Sequence, residues 1–379
     1  MSQHCPKQPL SDPIVQAAQT AVEQAEYLHP GDDLSTPGQC WHASSVLGLD
    51  TEFVRERTFY PRPGLLQLSD GKKVWLLDPI GREDSEILSQ VLQNPDVTKV
   101  LHSVGEDLEI FSLVANALPT PLFDTQIAAA MLGMPLQCRY ESLVLECFGV
   151  ELPGGQARSD WCQRPLGAGL LTYAAQDVIW LPRLEQLLRS ALEDCGRLAW
   201  LEEDCQRLVD RARDGDGKPL LLRVKGAGRL ETEALAWLER LSGWREEQAR
   251  THDLPRGFVV RDDVLMCIAE GATGGQSANQ LVNLLPPRER RRHGDSLAAL
   301  LQTPPPEPVE RPLELARMSN EERQALKQAQ QEVRRIAEQA NVDPALIASK
   351  RELARLISGQ TPDWLNGWRG ELIGHLAGI

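Results

Sequence analysis

The alternation of apolar and polar residues predicts a group of short strands in the first part of the chain. Apolar runs cover residues 46–49, 65–69 and 74–78, and the last two flank Asp70-Gly71, a dipeptide typical of hairpin turns. We therefore expect an antiparallel meander of three neighbouring strands. A further short apolar strand is predicted at residues 97–102.

Between and beyond these runs, apolar residues recur at helical spacing. Residues 12–28 and 85–92 are predicted as helices, with a polar loop at residues 30–39, and alternating helices follow residue 102 as far as Trp180. A meander followed by strand–helix units is typical of an α/β layered fold with a mixed sheet.

The second half of the chain shows no strand pattern. The polar, glycine-rich segment 214–219 predicts a domain boundary, and a proline-rich linker at residues 303–308 separates two blocks with helical periodicity. We predict an N-terminal extension at residues 1–40, an α/β domain at residues 41–213, and helical domains at residues 219–302 and 311–379.

Charge is distributed unevenly over these parts. The formal net charge is −14, but residues 1–210 hold 15 Lys+Arg against 30 Asp+Glu, net −15, whereas residues 211–379 hold 25 against 24, net +1. Overall acidity argues against nucleic-acid binding, because phosphates are neutralised by Lys and Arg. The excess of acidic residues in residues 1–210 instead fits a site where cations neutralise carboxylates. The basic run at residues 288–293 fits either phosphate contact or a solvated helix end.

Cysteine usage and hydropathy indicate a cytoplasmic protein without a membrane partner. The eight cysteines include no Cys-x-x-Cys pair, which argues against a zinc site and favours reduced thiols. The most membrane-like run, residues 127–136, has about half the length that spans a bilayer. No secretory signal is evident at the N-terminus.

Three pairs of residues have spacings that place their side chains together. The pairs are Asp50 with Glu52, Glu106 with Asp107, and Tyr173 with Asp177. The first pair is two residues apart in a predicted strand, and the third is four apart in a predicted helix, so each shares a face. Each pair alone has a structural explanation, such as a solvated strand edge, a helix N-terminus or core packing. Together they predict one site.

Four carboxylates and a tyrosine hydroxyl suit phosphodiester hydrolysis with two divalent cations. Mg2+ and Mn2+ take oxygen ligands, and two ions about 3.5–4 Å apart stabilise charge on the attacking, phosphoryl and leaving oxygens. We assign Tyr173 to holding the attacking water. We assign as ligands of two Mg2+ or Mn2+ ions the residues Asp50, Glu52, Asp107 and Asp177. No nucleophilic serine or cysteine paired with a base is evident.

The residues around these pairs resemble the motifs of the ribonuclease D family. The matching segments are 49–55, 58–61 and 65–68 for its first exonuclease motif, 101–109 for its second, 173–178 for its third, and also 123–126 and 160–166. The resemblance runs from residue 46 to the C-terminus. It implies a ribonuclease-H-like exonuclease domain with a mixed sheet, followed by two all-α HRDC-type domains that guide RNA.

The resemblance also implies an activity. The family hydrolyses RNA from the 3′ end, so we expect a 3′–5′ exoribonuclease that trims tRNA precursors and other structured RNAs, releases 5′-mononucleotides, and acts as a monomer. Two alternatives stay open: a DNA 3′–5′ exonuclease with the same site, and a non-catalytic RNA-binding scaffold. The complete ligand set argues against the scaffold, and the HRDC-like domains favour RNA.

Five further residues are candidates for substrate binding. Phe53 follows a proposed metal ligand, so its side chain points to the other face of the strand, where either core packing or base contact fits. Arg55, Arg57 and Tyr60 follow in a segment placed to touch the terminal nucleotides or their phosphates. His102, in the segment that resembles the second motif, completes the set.

Overall fold

The computed structural model describes residues 6–81, 85–156, 159–215, 219–316 and 318–377. The chain divides into two compact units. The first comprises Met1–Val54, Arg62–Asp216 and Gln324–Ile379, and the second comprises Arg55–Pro61 and Gly217–Arg323. Part of the boundary predicted at residues 214–219, and the last two residues of the helical domain predicted at 311–379, lie outside the described residues, as do the first five residues of the predicted extension.

Within the described residues, the first unit is built on a six-stranded mixed sheet with the order β1-β4-β3-β2-β5-β6. The strands are β1 Glu26–Leu28, β2 Val46–Val54, β3 Arg62–Ser69, β4 Val74–Leu77, β5 Thr98–Leu101 and β6 Leu122–Asp124. The meander of β2, β3 and β4 is antiparallel, as predicted, and Gly71 takes a φ of 82° at its hairpin turn. β1 joins β4, β5 joins β2 and β6 joins β5, all in parallel.

Helices surround this sheet. They are α1 Asp12–Glu23, α2 Ser35–Ala43, α3 Glu86–Gln93, α4 Asp107–Ala115, α5 Thr125–Met131, α6 Tyr140–Phe148, α7 Ala168–Ile179, α8 Leu181–Asp194 and α9 Leu198–Asp214. α7 contacts β2, β3 and β4, and α8 contacts β2 and β5. Gly48 of β2 permits this close packing, because a Cβ there would lie 2.8 Å from the Leu181 Cβ and 2.9 Å from the Val178 carbonyl oxygen.

Two predictions for the N-terminal segment are wrong. The helix predicted at residues 12–28 ends at Glu23, because Glu26–Leu28 forms the edge strand β1 and pairs with β4. The loop predicted at residues 30–39 contains the first part of α2. Pro37 is compatible with that helix because it lies in the first turn, where the backbone N–H groups have no partner within the helix.

The second unit is helical, as predicted. Its helices are α10 Thr232–Thr251, α11 Arg256–Val259, α12 Asp262–Thr273, α13 Ala278–Val282 and α14 Pro287–Leu301. The apolar face predicted for α10 is buried, with Leu235, Leu238 and Leu241 fully inaccessible. No strand occurs among the described residues from 219 to the C-terminus.

The last helices are α15 Asn320–Ala340, α16 Pro344–Ile347, α17 Lys350–Ile357 and α18 Trp368–Ile373, and they belong to the first unit from Gln324 onward. There, Arg369 donates to both oxygens of Asp204 on α9. The Trp368 ring stacks on Trp200, with centroids 4.6 Å apart. The expected fold class, a mixed α/β sheet followed by helical modules, is confirmed. No helix in the described part of the chain is long and apolar enough to cross a membrane.

Candidate active site

Three of the acids assigned to one site lie on β2 and α7. Asp50 and Glu52 are two residues apart in β2, so their side chains point to one face of the sheet. Asp177 lies on α7, which contacts β2. Carboxylate oxygens of Asp50, Glu52 and Asp177 all lie within 4.8 Å of one another. The packing of a helix on the strand therefore brings the three acids to one point.

The fourth acid, Asp107, lies on a different element. Ser103 adopts a left-handed conformation, with a φ of 64°, in the turn between β5 and α4, and Asp107 is the first residue of α4. Its carboxylate accepts a hydrogen bond from the hydroxyl of Thr51, the residue between the two acids of β2. Asp107 is not one of the three clustered acids, but it lies near enough for its charge to act on Asp50 and Glu52.

Tyr173 lies one helical turn before Asp177 on α7, close enough for its hydroxyl and that carboxylate to shift each other's pKa. Burial, followed by the negative charges of Asp177 and Glu52, raises the pKa of the Tyr173 hydroxyl, which therefore keeps its proton. The ring lies beside Trp161, with centroids 6.2 Å apart and an interplanar angle of 37°. The hydroxyl is thus a proton donor at the edge of the acidic cluster.

Burial raises the pKa of all four carboxyl groups. For Asp50, burial and then the charges of Asp107, Asp177 and Glu52 raise the pKa well above its ordinary value. For Glu52, burial and then Asp177 and Asp107 raise the pKa to about 9. Burial raises the pKa of Asp107 and of Asp177 to about 7. A cation bound among these groups would favour their charged forms and displace protons.

The donor set suits a divalent metal ion. Carboxylate oxygens are the ligands that Mg2+ and Mn2+ prefer. The ion pairs found in the described part of the chain include none to these four acids, so no Lys or Arg balances their charge. The cluster is therefore a place where a cation would balance buried negative charge.

Two substrate-binding candidates lie in the first unit. Phe53 is half-buried in β2, next to a register shift in the pairing with β3. The His102 ring is engaged at both nitrogens: Nδ1 lies 2.9 Å from the Thr125 hydroxyl, and Nε2 lies 2.9 Å from the Cys138 carbonyl oxygen. Burial lowers the pKa of His102. These contacts hold the ring in the packing between β5, α5 and the segment before α6.

The other three candidates belong to the second unit. Arg55 and Arg57 are exposed, and Arg55 donates to the Phe59 carbonyl at 3.2 Å. The Tyr60 side chain is 36% exposed, while its backbone N–H donates to Asp253 at 3.1 Å. The segment that carries these three residues is therefore anchored within the second unit, and the acidic cluster lies in the first.

Sequence reasoning assigned no role to Trp161, whose ring lies beside Tyr173, or to Arg164, which donates to Asp78. Trp161 and Arg164 lie in the segment 160–166, where the sequence shows only a resemblance to the family motifs. Tyr27, whose hydroxyl donates to Asp78, carries no local signal. A charged residue directly after an apolar strand, such as Asp78, is a weak indication by itself, because its partner lies 86 residues away.

Comparisons with known proteins first define the class. Residues 38–193 match the 3′–5′ exonuclease family, residues 234–301 match the HRDC domain, and residues 321–376 match the C-terminal HRDC domain of ribonuclease D. The mixed sheet, the carboxylate cluster and the helical modules thus define a 3′–5′ exonuclease with HRDC domains.

Full-length relatives narrow this class. The chain is 38% identical to ribonuclease D of Pseudomonas paraeruginosa, covering 91% of this chain and 94% of the relative, and 36% identical to that of Escherichia coli, covering 90% and 94%. The crystal structure of Escherichia coli RNase D, described as an exoribonuclease involved in structured RNA processing, matches with a TM-score of 0.83 at 35% identity and covers 93% of this chain and 96% of that one. The chain belongs to the ribonuclease D family of 3′–5′ exoribonucleases.

Proposed function

We propose that this exoribonuclease works with two divalent ions, Mg2+ or Mn2+, held by four carboxylates. The assigned ligands are Asp50, Glu52, Asp107 and Asp177. The observation that carries the proposal is the set of three carboxylates within 4.8 Å of one another, all with a raised pKa. When bound, such ions stabilise the negative charge that develops on the attacking, phosphoryl and leaving oxygens.

The residues of the chain orient the reaction around this site. Tyr173 keeps its proton at neutral pH and lies beside Asp177, so we assign its hydroxyl to orienting the attacking water. Water attacks the phosphorus of the last phosphodiester, and the bond to the 3′ oxygen breaks. The shortened RNA gains a 3′ hydroxyl, and the released product is a nucleoside 5′-monophosphate.

We propose structured RNA, including tRNA precursors, as the substrate. The Escherichia coli relative is described as involved in structured RNA processing, and its structure matches 93% of this chain, including most of the HRDC domains. A DNA exonuclease with the same site is the second candidate, because the carboxylates themselves do not select the sugar. A non-catalytic scaffold would not need four acids in place. Action as a monomer in the cytoplasm stays a prediction.

Phe53, Arg55, Arg57, Tyr60 and His102 stay proposed as RNA contacts. Arg57 offers the clearest test among them, because its side chain is exposed. Replacing Arg57 with alanine is expected to raise the KM for RNA and to make its salt dependence shallower, since a phosphate contact releases counterions. Unchanged KM and salt dependence would make it an ordinary surface charge.

A basic groove in the second unit supports RNA as the partner. Its volume is about 830 Å3, and its lining has more basic than acidic residues: Arg223, Lys225, Arg229, Arg245, Arg256 and Arg261 against Asp262, Asp263 and Glu270. Asp262 accepts from the Lys225 backbone N–H at 2.9 Å and from Arg245 at 2.7 Å, which ties the wall of the groove to α10 and α12. We assign this groove to the phosphate backbone of RNA.

One experiment tests the reaction, polarity and metal together. Purified protein is incubated with 3′-labelled and 5′-labelled RNA, and with matched DNA, in Mg2+, Mn2+ or chelator. We expect labelled mononucleotide from the 3′ end of RNA only when a divalent ion is present. Asp50→Asn should reduce the rate to the level seen with chelator. Near-normal hydrolysis by Asp50→Asn in Mg2+ would reject the ligand assignment, and equal rates on DNA would favour the second candidate.

A further inference from the structure

The guanidinium of Arg164 has five N–H groups, and five hydrogen bonds to neighbouring oxygens surround it. Nε and Nη2 donate to the two carboxylate oxygens of Asp78 at 2.6 and 2.9 Å. Nη2 also donates to the Gly64 carbonyl at 2.7 Å, and Nη1 donates to the carbonyls of Trp161 and Gln163, each at 2.9 Å. One side chain therefore joins the end of β4, the start of β3 and the segment that precedes α7.

Asp78 is the buried carboxylate that accepts several hydrogen bonds in this network. It is 1% exposed, and it also accepts from the Tyr27 hydroxyl at 2.6 Å and from the Ile80 N–H at 3.1 Å. Burial alone would raise the pKa of Asp78, but the hydrogen bonds from Arg164 and Tyr27 outweigh burial and lower it. The carboxylate is therefore charged at neutral pH. Because Tyr27 lies on β1, this strand supplies one of the hydrogen bonds that hold the Asp78 carboxylate.

Arg164 fixes Trp161 at the active site. Trp161 is fully buried, and its ring packs beside Tyr173. A Cβ on Gly64 would lie 2.6 Å from the Trp161 Cβ and 3.0 Å from the Glu52 carbonyl oxygen, so only glycine lets the Trp161 backbone pack this closely on the strand pair that carries Glu52. Arg164 bridges the same two residues, because it donates to the backbone carbonyls of both Gly64 and Trp161.

We propose that Arg164 is a positioning residue for the hydrolysis. Anchored by Asp78 and Tyr27, it holds Trp161 against Tyr173, and so fixes where the tyrosine hydroxyl stands relative to Asp177. The inference rests on the role proposed above for Tyr173. It also gives the N-terminal strand β1 a function in the reaction, because its Tyr27 hydroxyl is part of the anchor.

The test is a double-mutant cycle on a short unstructured RNA oligonucleotide with saturating Mg2+. Arg164→Met is expected to lower kcat about 10- to 100-fold, the usual cost of losing a group that orients an active-site residue. KM and the Mg2+ concentration for half-maximal activity should change by less than about twofold, because the carboxylates are untouched. In a Tyr173→Phe background the same substitution should lower kcat by less than about twofold, because the hydroxyl that it positions is already gone.

Two further variants keep the test decisive. Arg369→Met removes an arginine that also binds both oxygens of a buried aspartate, Asp204, in the same unit. It should lower the thermal midpoint but leave the kcat of the folded fraction unchanged. Tyr27→Phe removes one hydroxyl from the anchor, and should lower kcat about threefold with the fold intact. If Arg164→Met does not fold, Tyr27→Phe takes its place in the double-mutant cycle with Tyr173→Phe.

Each outcome decides the inference. Equal losses of kcat in the two Tyr173 backgrounds would overturn it and leave the role of Tyr173 standing, because Arg164 would then act independently. Unchanged kcat in both Arg164→Met and Tyr27→Phe would also overturn it. Full activity of Tyr173→Phe alone would overturn the role of Tyr173 and this inference with it. A loss of kcat that disappears in the Tyr173→Phe background, with Arg369→Met unaffected, would support it.

Discussion

At the scale of single residues, Glu52 shows how strongly the site opposes ionisation. Burial, then the charges of Asp177 and Asp107, raises its pKa from 4.5 to about 9. Between these two values, the folded protein without metal keeps a proton that the unfolded chain releases. The contribution of Glu52 to stability is therefore full below the unfolded pKa and is lost as the pH rises toward the folded one. Asp107 and Asp177 act in the same direction up to about 7.

This linkage predicts a pH-dependent requirement for metal. In chelator, the thermal midpoint should fall as the pH is raised from about 5 to about 9, because the buried carboxyls must then lose protons. Mg2+ should restore stability most at the high end, where fewer protons compete for the same oxygens. Calorimetry over this pH range measures both effects. Glu52→Gln is the control and should flatten the slope, and a midpoint that rises with pH in chelator would contradict the prediction.

The second prediction at the scale of single residues concerns Tyr173. Tyr173→Phe removes the hydroxyl to which we assign the orientation of the water, so kcat should fall by about 100-fold or more, the usual effect of such a group. RNA affinity should be nearly unchanged, because the ring and its packing on Trp161 remain. Single-turnover rates and equilibrium binding separate the two quantities. A loss of binding as large as the loss of rate would place the ring in substrate holding instead.

At the scale of elements, the segment between β2 and β3 is held by the second unit. Phe59 is 9% exposed and forms part of the core of that unit. The backbone N–H groups of Phe59 and Tyr60 donate to Asp253 at 2.9 and 3.1 Å. The guanidinium groups of Arg250 and Arg256 each lie 4.8 Å from the Phe59 ring. An aromatic residue is required here for both burial and the cation–π contacts.

Replacing this aromatic anchor should destabilise the second unit. Phe59→Ala is expected to cost about 3–5 kcal/mol, the usual range for a buried phenylalanine. Amide hydrogen exchange in α10 measures the effect locally, which matters because a chain with two units need not unfold in one step. Arg57→Ala, in the same segment but exposed, is the control and should change stability by less than about 0.5 kcal/mol. Unchanged exchange in Phe59→Ala would show that the segment is not an anchor.

At the scale of the whole molecule, acidic and basic residues are concentrated in different parts of the chain. The residues up to 210 carry a net charge of −15, and their acids include the cluster that calls for cations. The groove of the second unit is lined by six basic and three acidic residues in a protein with a net charge of −14. Negative RNA is repelled by most of such a surface, so a local basic groove is where its phosphates would be retained.

The groove predicts a change in salt dependence without a change in chemistry. Lys225→Glu and Arg229→Glu should weaken RNA binding. Each lost phosphate contact should lower the slope of log affinity against log salt by about 0.7. The kcat on a short oligonucleotide at saturation should stay the same. Lys72→Glu, at the exposed hairpin turn, makes the same charge change outside the groove and should leave the slope unaltered. A groove variant with an unaltered slope would exclude RNA from this groove.

The sequence by itself determined what depends on local spacing. The period of two in β2 placed Asp50 and Glu52 on one face, the four-residue spacing in α7 placed Tyr173 and Asp177 on one face, and the Asp70-Gly71 dipeptide decided the hairpin. The helical character of the C-terminal half followed in the same way from apolar periodicity. These predictions succeeded because each depends on the geometry of one element, which the chain sets within a few residues.

Only the tertiary structure decided the contacts between residues that lie far apart in the sequence. Residues 26–28 fit a helix by local pattern, but they pair with β4 because that edge is open to them. Thr51 binds Asp107, and Arg164 binds Asp78, across 56 and 86 residues of chain. The anchoring of Phe59 by Asp253 spans 194 residues. Partners this far apart are chosen by the packing of the whole fold, since the free energy of each contact exists only after both surfaces have formed.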